Sequence, residues 1–220
     1  MKVIWKFIRG FFKWSSYLLL LITTVIVIFI NTSPEFGGDP TEDDIKKYRA
    51  TGHYIDDEFK NYQLTKMEFS FNQIVEVVGD YFDDSVNNIP RIPLSIIKQD
   101  SLFSEQTKQE SKLIWFGHSA FLLQLDGKNI LLDPMFGEVP APVDLAGQQR
   151  FFKDLPLAIE KLPKIDYVFI SHDHYDHLDY ESIELLKSKT KQFILPIGVG
   201  THFRKWGIEE SKIQEYNWWD

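Results

Sequence analysis

Within the seven residues Ser171-His172-Asp173-His174-Tyr175-Asp176-His177 the chain places three imidazoles and two carboxylates. They follow the apolar run Tyr167-Val168-Phe169-Ile170, so the cluster opens where a buried strand gives way to a loop. Imidazole nitrogen together with carboxylate oxygen suits zinc, iron or manganese. His172 and His174 alternate, so on an extended or turning backbone both present nitrogen to one ion. Asp176 and His177 follow as the loop tightens, offering one oxygen and one nitrogen to a second ion nearby. Two ions a few ångströms apart hold a hydroxide between them and clamp the oxygens of an ester under hydrolysis. The expected chemistry is therefore hydrolytic. A single loop histidine is ordinarily polar surface, but three in six positions closing a buried strand point to ligation.

Composition narrows the donors. The chain has no cysteine, which excludes disulfides, thiolate ligation and a cysteine nucleophile and leaves His, Asp and Glu to bind a metal. The formal charge is −8, yet Lys2, Lys6, Arg9 and Lys13 are all positive with no acid before residue 14, so the remainder carries −12. A body so acidic is a poor binder of phosphate backbones, and nucleic acid is not an expected partner.

The elements that must position the cluster are legible from Lys112 onward. Leu113 to Phe116, Ala120 to Leu125 and Asn129 to Asp133 read as strands, with Asp126-Gly127 as a hairpin turn. Leu155 to Leu162 reads as a helix and Asp166 to Ser171 as a buried strand. Tyr180 to Ser188 reads as a helix capped by Asp179, and Phe193 to Leu195 as a strand. Thr201 to Trp206 reads as a short helix stopped by Gly207, and Lys212 to Tyr216 as a last strand. A hairpin followed by β-α-β-α-β gives an α/β or α+β class with a helix-covered sheet.

Before this region the sequence is of two kinds. Trp14 to Ile30 has no charge, and about 17 helical residues reach about 26 Å, enough to span a bilayer core. The four cations ahead of it are spaced 4, 3 and 4 apart on one helix face, an interfacial basic lead-in. Asn31 to Phe36 offers no small-residue cleavage site, which favours an uncleaved transmembrane anchor over a signal peptide. The positive-inside rule puts the amino terminus in the cytoplasm and the rest across the membrane. Residues 31–111 are expected to form a linker, with Pro34, Gly37, Gly38 and Pro40, and a variable region. In that region Thr41 to Asp44 caps a short helix through Tyr48, Met67 to Tyr81 suits a helix, Ile89 to Leu94 is extended and Ser101 to Ser111 is a polar loop. The expected organisation is 1–30 anchor, 31–111 linker and variable region, and 112–220 catalytic-type domain.

The run His172-Asp173-His174-Tyr175-Asp176-His177 matches the H-x-H-x-D-H signature, and the chain here resembles the metallo-β-lactamase superfamily. More narrowly it is similar to the branch of N-acylphosphatidylethanolamine-hydrolysing phospholipase D and its bacterial relatives, through Trp115-Phe116-Gly117-His118-Ser119, Leu132-Asp133-Pro134-Met135-Phe136, the ligand run through Tyr180 and the closing Asn217-Trp218-Trp219-Asp220. The resemblance runs from about Lys112 to Asp220 and more weakly over Tyr54 to Asn61. It implies an αβ/βα sandwich with two zinc ions, or other divalent transition metals, and a metal-bound hydroxide that attacks phosphorus. His172 and His174 would serve one ion, Asp176 and His177 the other. Asp133 would orient the ligand loop, its alternative being a turn aspartate before Pro134. His118 would lie near the metals in a substrate or supporting role. The implied partners are a phospholipid or other ester substrate and a membrane.

The family's remaining ligands follow the Trp-Trp segment, and this chain ends at Asp220. The expectation is therefore an amino-terminal half of the sandwich, with one face of its strands uncovered. His202, between Gly200 and Gly207, matches none of the remaining ligands and is expected at the surface. The leading function is a membrane-anchored phosphodiesterase. Its alternatives are an inactive or partner-dependent anchored fragment, or a lactonase or nuclease of the same superfamily.

Overall fold

The computed structural model describes residues 2–63, 70–81, 83, 90–92, 94–98, 111–143, 149–152 and 154–220. Helix α1 (Lys2–Thr32) joins the basic lead-in and the apolar run into one helix, with none of Ile4–Thr32 buried. A single 3-10 turn, Pro34–Phe36, separates it from α2 (Glu42–Ala50). Helix α2 begins with a reciprocal capping box: the Thr41 hydroxyl accepts the Asp44 N–H at 3.2 Å, and the Asp44 carboxylate accepts the Thr41 N–H at 3.0 Å. The small hairpin β1 (Tyr54–Ile55) and β2 (Glu58–Phe59) follows, its turn made by Asp56 and Asp57 at φ 54° and 60°. Helix α3 (Phe71–Tyr81) covers the described part of the expected helix. Met67 to Phe69, Ile89, Pro93 and Ser101 to Glu110 lie outside the described residues.

The main sheet is formed by β3 (Lys112–Gly117), β4 (Ala120–Leu125), β5 (Lys128–Leu132), β6 (Ile165–Phe169), β7 (Thr190–Pro196) and β8 (Ile213–Tyr216), in sequence order. The first two pairings are antiparallel and the last three parallel. Asp126 and Gly127 turn β4 into β5 with φ 46° and 73°, the positive pair that a two-residue hairpin of native twist needs. Helices α4 (Tyr180–Leu186) and α5 (Gly200–Lys205) are the crossovers β6-α4-β7 and β7-α5-β8, a mixed α/β architecture.

The pleat sorts the side chains into two faces. Phe116, Leu122, Leu131, Val168, Phe193 and Leu195 point one way and are buried with Ile183 and Leu186 of α4 and Phe203 of α5. The registers Leu113↔Leu123, Trp115↔Phe121, Leu123↔Ile130, Phe121↔Leu132, Leu132↔Phe169 and Phe169↔Ile194 place an equally apolar set on the opposite face. None of these is buried, and Leu113, Trp115 and Phe169 are exposed. Among the described residues this face is only partly covered.

One expected helix is corrected. Between Leu155 and Leu162 only Ile159–Lys161 is helical, as a single 3-10 turn. Pro156 disfavours helix at Leu155, and Pro163 closes the segment from the other end.

The segment read as a linker is docked onto the body. Trp206 Nε1–H donates to the Pro34 carbonyl at 2.8 Å, and the Gly38 N–H donates to His202 Nδ1 at 3.1 Å. A Cβ at Gly38 would lie 2.6 Å from the Thr201 carbonyl, so only glycine lets the backbone approach this closely. Asp44, buried, pairs with Arg204 of α5 at 2.9 Å. Burial alone would raise the Asp44 carboxyl, but the Thr41 hydrogen bonds and the charges of Arg204 and Lys47 outweigh it and hold it below its ordinary value. The Asp44→Ala variant removes the N3 half of the capping box and half of a largely buried ion pair, a loss of roughly 2 to 3 kcal/mol. Since the folded carboxyl lies below 3.8, the charge-dependent part of that increment is fully present above pH 3.8 and is lost as the pH falls through the folded value. Urea unfolding in detergent at pH 7 and in acid checks both: the gap between the wild type and the variant is expected to narrow in acid.

Candidate metal centre

Three chain reversals meet at one end of the sheet, and each carries a residue singled out in the sequence. Strands β5 and β6 are parallel neighbours, so Asp133 and the loop from Ile170 to His177 leave the sheet at the same edge, where open α/β sheets place their ligands. The β3-β4 turn, carrying His118, returns there because Ala120 starts β4 beside the end of β5. Asp133 and His118 both adopt left-handed backbone, φ 40° and 43°. Aspartate tolerates this conformation. At His118 the turn is pinned by its own carbonyl, which accepts Trp115 Nε1–H at 2.9 Å.

The Asp133 carboxylate is buried and organises the loop. Its Oδ1 accepts the Ser171 N–H at 2.7 Å, and its Oδ2 accepts the Ser171 hydroxyl at 2.8 Å and lies 2.9 Å from His177 Nδ1. A carboxylate only accepts, so His177 carries its proton on Nδ1. The Ser171 hydroxyl spends its one proton on Asp133, so His172 Nδ1, 2.9 Å from that oxygen, must donate as well. Both rings are thereby fixed with Nε2 bare, the state in which histidine binds a metal.

The bare nitrogen of His177 faces Asp176 and His118. His118, Asp176 and His177 bring ligand atoms within 4.8 Å of one another, and so do His172, His174 and Asp176. His177 Nε2 lies 3.5 Å from Asp176 Oδ2 and 3.3 Å from His118 Nε2, and His118 Nε2 lies 3.0 Å from Asp176 Oδ2. The structure thus brings all six predicted residues together, with Asp176 common to both groups. A set made only of imidazole nitrogen and carboxylate oxygen, with its tautomers preset, fits divalent zinc, iron or manganese. Burial lowers the His172 pKa from its ordinary value, with His177 and His174 adding to it against Asp176 and Asp133.

His202 is not the surface residue expected from the sequence. Its side chain is 22% exposed, stacked on Trp206 and wedged between Gly38 and Asp173, with Nε2 3.8 Å from Asp173 Oδ2. The imidazole facing it holds the Asp173 carboxyl below its ordinary value, with burial pulling the other way. Gly207 marks only a helix stop in the sequence, and the strap that packs on His202 lies 164 residues away in sequence.

A cleft of about 420 Å³ opens beside His118 and Asp176, walled by Trp115, Met135, Phe151 and Phe152. Arg150 also lines it, and its buried Nη1 has no hydrogen-bond partner among the described residues. The sequence reading missed Arg150, a lone arginine with no motif around it.

Parts of the chain are similar to known proteins. Residues 128–220 match the family model described as the beta-lactamase superfamily domain. An uncharacterized protein of Mycobacterium tuberculosis is 43% identical over 105 residues, covering 47% of this chain and 28% of that protein. The N-acyl-phosphatidylethanolamine-hydrolyzing phospholipase D 1 of Caenorhabditis elegans is 29% identical over 132 residues, 58% of this chain and 36% of that protein. A metal-dependent hydrolase of Saccharolobus solfataricus is 37% identical over 82 residues, 37% of this chain and 30% of that protein. The chain thus spans about a third or less of the length of these relatives.

Replacing Asp133 by Asn keeps the shape and the tolerance for left-handed backbone but removes the acceptor that sets the His177 tautomer. Zinc affinity is expected to fall roughly 10- to 100-fold, with little change in melting temperature. Calorimetric titration alongside a thermal melt checks this.

Proposed function

We propose that this beta-lactamase superfamily segment carries the ligand loop of a membrane-anchored, metal-dependent hydrolase, and that its substrate is the phosphodiester of an N-acylated phospholipid. The observation that carries the proposal is the pair of ligand groups sharing Asp176, with His172 and His177 both preset to bare Nε2 by Ser171 and Asp133. His172, His174, Asp176 and His177 would hold the metal, with His118 beside them. Zinc in such a site activates water at neutral pH and polarises a phosphoryl oxygen.

The chain's own residues do the rest. Asp133 and Ser171 orient the rings. The cleft beside His118 gives an acyl chain apolar walls, and Arg150 is the one lysine or arginine among its described lining residues. A guanidinium facing an apolar groove suits a lipid whose head carries a phosphate. Helix α1, long and apolar enough to cross a bilayer, would hold the site at the lipid surface. The basic lead-in argues for a cytoplasmic amino terminus, with the site on the opposite side. The relatives named for phospholipid and metal-dependent hydrolysis support the same reading.

One observation favours a second reading. An apolar sheet face only partly covered among the described residues suits a chain that depends on a partner for turnover. Both readings are separated by one assay on the chain reconstituted in vesicles containing N-acylphosphatidylethanolamine, with soluble lactone and nucleotide diesters in parallel. The first reading predicts release of phosphatidic acid that a chelator stops, zinc restores and His174→Ala abolishes. Fewer than two bound ions and no turnover would establish the second. Preference for the lactone or the nucleotide would move the substrate within the superfamily. In the same assay Arg150→Gln is expected to raise KM about tenfold or more with a smaller effect on kcat, since it removes a charge-assisted contact to the bound head.

A further inference from the structure

The ligand loop alternates. His172, His174 and Asp176 turn toward the metal groups, whereas the residues between them, Asp173 and Tyr175, turn outward. Each outward residue meets the juxtamembrane strap of residues 33–40 or a side chain that the strap grips. The Tyr175 ring packs edge-to-face on Phe36, centroids 6.5 Å apart. Asp173 faces His202, whose other ring nitrogen accepts the Gly38 N–H. Because Nδ1 accepts from Gly38, the His202 proton is on Nε2, the atom turned toward Asp173.

The strap is itself fixed at both ends. Phe36 packs edge-to-face on Phe29 of α1 at 5.5 Å, and the Pro34 carbonyl is held by Trp206. At Gly37, φ 63°, a side chain would run into the His202 ring. Two ring contacts, Phe29 to Phe36 and Phe36 to Tyr175, therefore connect the apolar helix to the middle of the ligand loop. Edge-to-face pairs of this kind add to the burial they bring.

We propose that the strap is the outer support of the ligand loop, gripping Asp173 through His202 and Tyr175 through Phe36, so that the anchor and the loop form one mechanical unit held at the bilayer surface. The proposal rests on the anchored reading above and adds to it a positioning role for Phe36, Gly38 and His202. It places the ligand-bearing end of the sheet toward the lipid and the β4-β5 turn away from it. It also commits the docking partner of this edge of the body to a lipid surface.

The chain has no cysteine, so single cysteines take a dye cleanly. One dye at position 181, at the start of α4, and in a separate sample one at position 126, in the β4-β5 turn, are read by energy transfer to acceptor lipids in nanodiscs. The dye at 181 is expected to transfer strongly and with a narrow distribution, and the dye at 126 weakly. A Gly-Ser-Gly insertion between Thr32 and Ser33 leaves every body contact intact but cuts the link to the anchor. It is expected to broaden and weaken the transfer from 181 without lowering the melting temperature. The double variant Phe36→Ala with His202→Ala is expected to broaden and weaken the transfer likewise by breaking the grip. Equal transfer from 181 and 126, or transfer from 181 untouched by the insertion, would overturn the proposal. Zinc uptake measured on the same samples keeps the two ideas apart: a loop held at the bilayer that takes up no metal refutes the hydrolase and leaves the strap standing.

Discussion

The two oxygens of Asp133 meet three donors from the neighbouring strand's loop, and the rest of the site depends on that arrangement. The Ser171 N–H, the Ser171 hydroxyl and His177 Nδ1–H all end on one buried carboxylate. Each donor has a different effect. The backbone bond fixes where β6 turns into the loop, the hydroxyl bond forces His172 to donate through Nδ1, and the imidazole bond fixes His177. A single carboxylate at the end of β5 thereby sets the protonation geometry of two rings on β6's loop. The parallel pairing of β5 and β6 is what brings the two ends to one edge. A buried carboxylate with fewer donors would carry a large desolvation cost, and here the donors offset it.

Much of this arrangement could be read from the residues. The periodicity of Leu113 to Asp133 and the Asp126-Gly127 pair predicted three strands and a hairpin, and the structure has them, because a turn needing positive φ leaves a local signature. The Asp179 cap of α4 and the Thr41 to Asp44 cap of α2 were legible for the same reason: capping is local chemistry. The convergence of His118 on the loop could not be read from spacing, since it comes from a sheet register 59 residues away in sequence. The resemblance alone implied it. The helix expected over Leu155 to Leu162 does not form because Pro156 and Pro163 override the apolar spacing. His202 lies packed rather than at the surface because Gly38 and Asp173 reach it only through tertiary packing, which leaves no local signature.

The body is held by unequal means on its two faces. Helices α4 and α5 bury one side of the sheet around Phe116, Leu131, Phe193 and Phe203, which is the usual source of stability for a domain of this kind. The other side keeps Trp115 and Phe169 exposed and Phe121 and Leu132 only half-buried. Contacts from the amino-terminal segment supply part of the fastening instead: Asp44 on Arg204, Pro34 on Trp206, and His53 stacked on Trp218 at 4.9 Å. Segments 33–40 and 41–62 thus act as a brace along the β8 side of the sheet, next to the loop that carries the chemistry.

X-ray absorption at the zinc edge of the zinc-loaded chain asks whether the Asp133-oriented loop holds metal through imidazole nitrogen and carboxylate oxygen. Only nitrogen and oxygen neighbours at about 2.0 to 2.2 Å are expected. Imidazole scattering should diminish stepwise when His172, His174 or His177 is replaced by alanine. A zinc environment unchanged by all three replacements, or no zinc retained by the wild-type chain, would contradict that ligation.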